Sequence, residues 1–184
     1  MTRIQKIAAS VPPGTVLPAE LTIVCDELDR VGYPISGCMK IRPDDFGGLI
    51  SWFGDDADMT MKFAAFGAGP DGSILAFWLL NGPDAQAAPV VYLGSEGSPC
   101  IVMGRDFREF LQLFAIGYDD LGFDDLAQPP SEPESAEWLR KMVIGQFGLD
   151  VPTTGADLVK AAQAATPSLE NAIKEWSKRR YGRQ

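Results

Sequence analysis

From Ile74 to Leu80 the chain reads ILAFWLL, a run without one polar residue, bounded by Pro70-Asp71-Gly72 and by Asn81-Gly82-Pro83-Asp84. A short, wholly apolar run between two turn signals reads as a strand covered on both faces. The rest of the chain must therefore supply something to lie against each side. Upstream, Met61-Lys62-Phe63-Ala64-Ala65-Phe66-Gly67 leads into the first turn. Downstream, Pro89-Val90-Val91-Tyr92-Leu93 is followed by Gly94-Ser95-Glu96-Gly97 and then by Cys100-Ile101-Val102-Met103. Short strands joined by Gly, Pro and Asp turns predict an antiparallel meander. Side chains alternate along a strand, so Phe77 and Trp78 are expected on opposite faces.

Helices are expected on either side of this meander. Asp106 and Glu109 have capping-box spacing, and Phe107, Phe110, Leu111 and Phe114 make one apolar stripe that Gly117 can end. Residues 17–32 predict a first helix, with Leu21, Val24, Cys25 and Leu28 inward, Pro18 in the first turn and Gly32 at the end. Gly37–Ile41 and Gly48–Phe53 read as strands or extended cover, separated by the turn Arg42-Pro43-Asp44-Asp45. Leu121 and Phe123 are expected to tuck under, leaving the aspartates around them wet.

Three prolines between Gln128 and Pro133 mark a boundary. Beyond it, Ser131 and Glu134 predict a helix with Trp138, Met142 and Gly145 on one face, ended by Gly148. An alanine-rich helix follows Thr153-Thr154-Gly155. A last helix is capped by Thr166-Pro167 and carries the stripe Leu169, Ile173 and Trp176. The expected fold class is α+β: a mostly antiparallel twisted sheet of four to six strands across residues 37–103, flanked by helices, with a C-terminal helical appendage. Residues 1–128 form the domain and 129–184 an extension packed on it. A segment of that size holds no core of its own, so its stripe must meet the body or a second copy of the chain.

In order along the chain stand LPAEL at 17–21, FAAFGAGPDG, ILAFWLL, PVVYLGSEG and IVMGRDFREFLQLFAIGYDDLGF. This succession resembles the SUKH superfamily, which contains bacterial toxin-immunity proteins and relatives of a yeast cell-wall-synthesis regulator. The resemblance spans residues 17–123 and carries no catalytic signature. It implies an α+β fold and a non-enzymatic role: neutralising a toxin, or regulatory scaffolding as in the yeast relatives.

Charge and chemistry narrow the function from another side. Residues 1–138 carry 8 basic and 21 acidic residues, a net −13, whereas 139–184 carry 8 basic and 4 acidic, a net +4. An acidic body disfavours nucleic acid, whose phosphates need clustered Lys and Arg, and suits a basic protein partner. The chain has no histidine, which removes Ser-His-Asp and Cys-His mechanisms and most zinc sites. Cys25, Cys38 and Cys100 form no CxxC pair and read as reduced thiols, with the cytoplasm as the natural compartment. No 18-residue apolar run offers a membrane span, and no cofactor or metal motif is present.

The aspartates gather in two places: Asp55, Asp56 and Asp58, beside Trp52, and Asp119, Asp120, Asp124 and Asp125, beside Tyr118. The neighbouring rings of Trp52, Tyr118 and Phe123 match what protein interfaces use for anchors, and the carboxylates supply complementary charge. The seven aspartates with Trp52 and Tyr118 are the candidate partner-binding set, and a basic toxin domain is the expected partner. The alternative from a different class is a histidine-free hydrolase in which the carboxylates act alone or with a metal ion. A solvated acidic face is the plain alternative to both.

Overall fold

The computed structural model describes residues 1–32 and 39–182. Five strands form one sheet: β1 (Lys40–Ile41), β2 (Phe63–Ala68), β3 (Ile74–Trp78), β4 (Val90–Leu93) and β5 (Cys100–Gly104). They lie in sequence order with every neighbouring pair antiparallel, the expected meander. Gly72, at φ +89°, takes the left-handed turn between β2 and β3 that a side chain resists. The expected strand start at Gly37-Cys38 lies outside the described residues.

All five residues of β3 are buried, and its alternation divides two cores. Phe77 faces the first, with Phe66, Tyr92, Phe107, Phe110 and Phe114. Trp78 faces the second, with Phe53, Phe63, Leu93, Ile173 and Trp176. The first core is covered by α1 (Arg3–Ser10), α2 (Ala19–Val31), α5 (Phe107–Phe114) and α6 (Glu137–Phe147). The second is covered by α3 (Gly48–Trp52), α4 (Ala57–Thr60) and α8 (Leu169–Tyr181). Between them α7 (Ala156–Ala165) lies against the edge strand β5, with Val159 in one core and Ala162 in the other. A covered edge removes a template for pairing with other chains.

The segment after residue 128 therefore contributes to both faces. Leu139, Met142 and Val143 join the first core, and Leu169, Ile173 and Trp176 the second. The last three are the stripe expected from the sequence, and they pack on the body.

Several local expectations need correction. Gly48–Trp52 is helical and not extended, because Asp44 accepts hydrogen bonds from Gly48 N (2.6 Å) and Leu49 N (3.0 Å). Those bonds satisfy two donors that a helix start otherwise leaves unpaired. At α5, Asp106 caps Glu109 N at 2.9 Å, but Glu109 does not return the bond to Asp106. Its carboxylate takes Arg105 N at 2.6 Å and pairs with the Arg105 guanidinium at 2.9 Å. The helix ends at Phe114, three residues before Gly117, and Ala115 and Ile116 pack into the core instead.

The last helix is capped by Ser168, whose hydroxyl accepts from Asn171 N at 3.2 Å, not by Thr166. The helix expected from Ser131 begins instead with a 3-10 turn, Pro133–Ala136, before α6. That tighter turn shifts the phase, so Leu139, Met142 and Val143 face inward while Gly145 is exposed. Helix α1 was not foreseen, although Thr2 and Gln5 form a complete capping box. Leu121 is buried as expected, but Phe123 is 66% exposed.

Candidate functional site

The two aspartate groups meet different fates. At the first, Gly54 (φ +57°) and Asp55 (φ +60°) turn the chain sharply after α3. Asp56 then caps α4, accepting from Met59 N at 3.0 Å, while its other oxygen accepts from Trp176 Nε1 at 3.0 Å. Trp52 donates from its indole to Gly94 O at 2.8 Å and stacks on Trp176 with ring centroids 6.3 Å apart. Arg180 donates to Gly54 O at 2.9 Å. The basic end of α8 thus lies over this loop, leaving a cleft of about 360 Å³ among Asp56, Asp58, Lys62, Trp176, Arg179 and Arg180. The bond from Trp176 is the main cause holding the Asp56 carboxyl below its ordinary range, aided by Met59 N and the Arg180 charge. Of the four predicted residues here, Asp55 and Asp58 are exposed, whereas Trp52 and Asp56 serve the fold.

The second group lies between α5 and α6. Tyr118 is buried, and its hydroxyl faces Gln128 O (2.7 Å) and Leu126 O (3.1 Å) while accepting from Gly155 N (3.1 Å). One ring thus ties the loop to the segment entering α7, and it is only 3% exposed. Asp120 is half-buried: its Oδ1 accepts from Tyr92 Oη at 3.3 Å and from Gly122 N at 2.9 Å. Asp124 accepts from Asp120 N at 2.9 Å, and Asp125 from Ala127 N at 3.0 Å. Burial, with the charges of Asp71 and Asp124, holds the Asp120 carboxyl above its ordinary range. Asp119 and Asp125 are exposed and Asp124 half-exposed, around a shallow cleft of about 210 Å³ backed by Pro129 and Pro130.

Phe123 stands out on the turn that carries these carboxylates. It is the residue that hydropathy misplaced. The available signal was its setting, a phenylalanine between Gly122 and two aspartates, with local turn bonds from Phe123 N and Asp124 N to Asp120 O (3.2 and 2.9 Å).

Among the described residues, no three His, Cys, Asp or Glu side chains gather so as to hold a metal ion. Burial pushes the Cys25 thiol up to about 12 and the Cys100 thiol to about 11, so both stay protonated at neutral pH. Cys38 lies outside the described residues. No helix among the described residues is long and apolar enough to cross a membrane. No family model, curated protein or solved structure matches the chain.

The opposite displacements of Asp56 and Asp120 are measurable. Carboxyl-detected NMR titration is expected to place Asp56 below and Asp120 above the ordinary value near ~3.9. The lowered Asp56 adds stability at neutral pH that is lost as pH falls through its folded value. The raised Asp120 does the reverse: its proton is held more tightly in the fold, and that contribution is lost as pH rises through its folded value. Asp56→Asn should therefore flatten the acid limb of the stability curve, and Asp120→Asn should not. Equal titration of the two carboxyls would contradict the assigned environments.

Proposed function

We propose that this chain is a cytoplasmic immunity-type protein that binds and neutralises a basic toxin domain without turnover of its own. The observation that carries this reading is the turn 119–125, which presents the exposed Phe123 ring together with Asp119, Asp124 and Asp125. An aromatic anchor supplies contact area at low entropic cost, and carboxylates around it steer a cationic partner. The resemblance of residues 17–123 to SUKH proteins supports the same class. The loop at Asp55–Asp58 is the weaker candidate, because the basic end of α8 already lies against it.

The test is co-expression with a toxin encoded beside the gene, comparing wild type, Phe123→Ala and the triple change of Asp119, Asp124 and Asp125 to Asn. Asparagine keeps an oxygen acceptor for the Asp120 and Ala127 amides, so the turn survives the loss of charge. The triple variant is expected to associate about tenfold more slowly at low salt and to lose most of its salt dependence. Phe123→Ala is expected to weaken binding by about 2 kcal/mol, chiefly through faster dissociation. Full protection by both variants would remove this face from the reading. Failure of wild type to protect would remove the immunity role.

A further inference from the structure

The exposed turn needs something to hold Phe123 outward, since an apolar ring left to itself folds back against the nearest dry surface. Asp120 is placed to do this. Its backbone oxygen accepts from both Phe123 N and Asp124 N, at 3.2 and 2.9 Å. Its backbone N–H is bound by Asp124 Oδ2 at 2.9 Å, and its own Oδ1 takes Gly122 N at 2.9 Å. These four bonds of the turn therefore pass through one residue, and that residue is anchored to the sheet by the hydroxyl of Tyr92 at 3.3 Å.

The anchor is rigid. Tyr92 sits on β4 with no exposed surface, its ring in the first core. The turn also rests directly on that ring: a Cβ built on Gly122 would lie 2.3 Å from Tyr92 Cζ and 2.5 Å from its hydroxyl oxygen. Only a glycine admits so close an approach without moving the ring. Phe123, the next residue, is thereby directed away from the sheet.

We infer that Asp120 and Tyr92 are positioning residues, a half-buried acceptor and a buried donor that preform the Phe123 turn for its partner without touching that partner. This deepens the reading of the turn as the toxin face, and it reassigns Asp120 from contact residue to support. Preforming a loop lowers the ordering cost at the moment of binding and so acts on affinity without altering the charge that the partner senses. The outward carboxylates and the inward one thus have separable effects.

The experiment is hydrogen exchange on the free, full-length chain, for wild type, Tyr92→Phe, Asp120→Ala and Asp120→Asn. Tyr92→Phe keeps the buried ring and removes only the hydroxyl, so the sheet should stay folded. The amides of Phe123 and Asp124 are expected to exchange about tenfold faster in Tyr92→Phe and Asp120→Ala, while β3 and β4 amides are unchanged. Asp120→Asn keeps the Oδ1 acceptor and should retain protection. Wild-type exchange in Tyr92→Phe overturns the inference, as does loss in Asp120→Asn equal to that in Asp120→Ala. A second readout uses the co-expressed toxin. Tyr92→Phe, which leaves every carboxylate in place, should dissociate faster with the salt slope kept, the reverse of the Asp119, Asp124 and Asp125 changes. A salt slope that collapses in Tyr92→Phe overturns the positioning role. Exchange needs no toxin, so a failed immunity role and a failed positioning role give different results.

Discussion

Removing residues 129–184 is expected to yield an aggregating chain and not a smaller folded protein. The deleted segment supplies Leu139, Met142, Val143 and Val159 to one core and Ala162, Leu169, Ile173 and Trp176 to the other. Without α8, the rings of Phe53, Phe63 and Trp78 lose their cover. Phe53 loses its edge contact with Trp176 at 5.1 Å, and Trp52 loses the ring stacked on it. Without α7, β5 becomes an open edge beside newly exposed apolar surface, the combination that promotes chain-to-chain pairing. Burying a large aliphatic or aromatic side chain contributes roughly 1.5–3 kcal/mol, so losing the seven larger than alanine removes about as much as, or more than, the ~5–15 kcal/mol by which domains are stable. The measurement is solubility and light scattering of the 1–128 fragment. A soluble monomer with a cooperative melt would contradict this account.

Phe66→Ala is expected to cost about 3–5 kcal/mol, the range for buried aromatic truncations. Phe66 packs against Phe77 at 4.5 Å, Phe107 at 5.5 Å and Phe110 at 5.6 Å, joining β2 and β3 to α5 in one contact group. Truncation opens a void where those rings meet, and they are held by the sheet and a capped helix, so little collapse can fill it. Urea unfolding should show the midpoint falling sharply with an unchanged slope. Phe123→Ala is the control, since its exposed ring should leave the midpoint within about 0.5 kcal/mol of wild type. Similar losses for the two phenylalanines would refute the assignment of one to the core and the other to the surface.

The contrast between these two residues also marks where the sequence was readable. Phe66 and the β3 run declare themselves because strand alternation and turn glycines are local signals that agree with the packing. The α8 stripe was equally plain, since Leu169, Ile173 and Trp176 keep helical spacing on a polar background. Three features depended on partners that spacing does not reveal. Gly48–Trp52 is as apolar as a strand, and its helix is started by the Asp44 side chain from outside the segment. Tyr118 looks like an interface aromatic, yet it is claimed by Gly155 N and two carbonyls from beyond the turn. Asp120 looks like its acidic neighbours, and only contact with Tyr92, 28 residues away in sequence, sets it apart. Hydropathy reports what a side chain prefers, and a bond or clash elsewhere in the fold can override that preference.

The division of the sheet into two cores has a consequence for the order of synthesis. The first face gathers α1, α2 and α5 and receives α6 soon after, so it can close while the chain is still growing. The opposite face has only the short helices α3 and α4 until the thirteen-residue α8, downstream of α6, is released. Phe63, Trp78 and Leu93 therefore wait, one side dry and the other wet, for residues synthesised after all the helices of the first face. Sheets half covered in this way are the species that chaperones intercept. A chain released before α8 is made would leave the ribosome in its stickiest form, so processivity through that helix becomes part of how much usable protein a cell obtains.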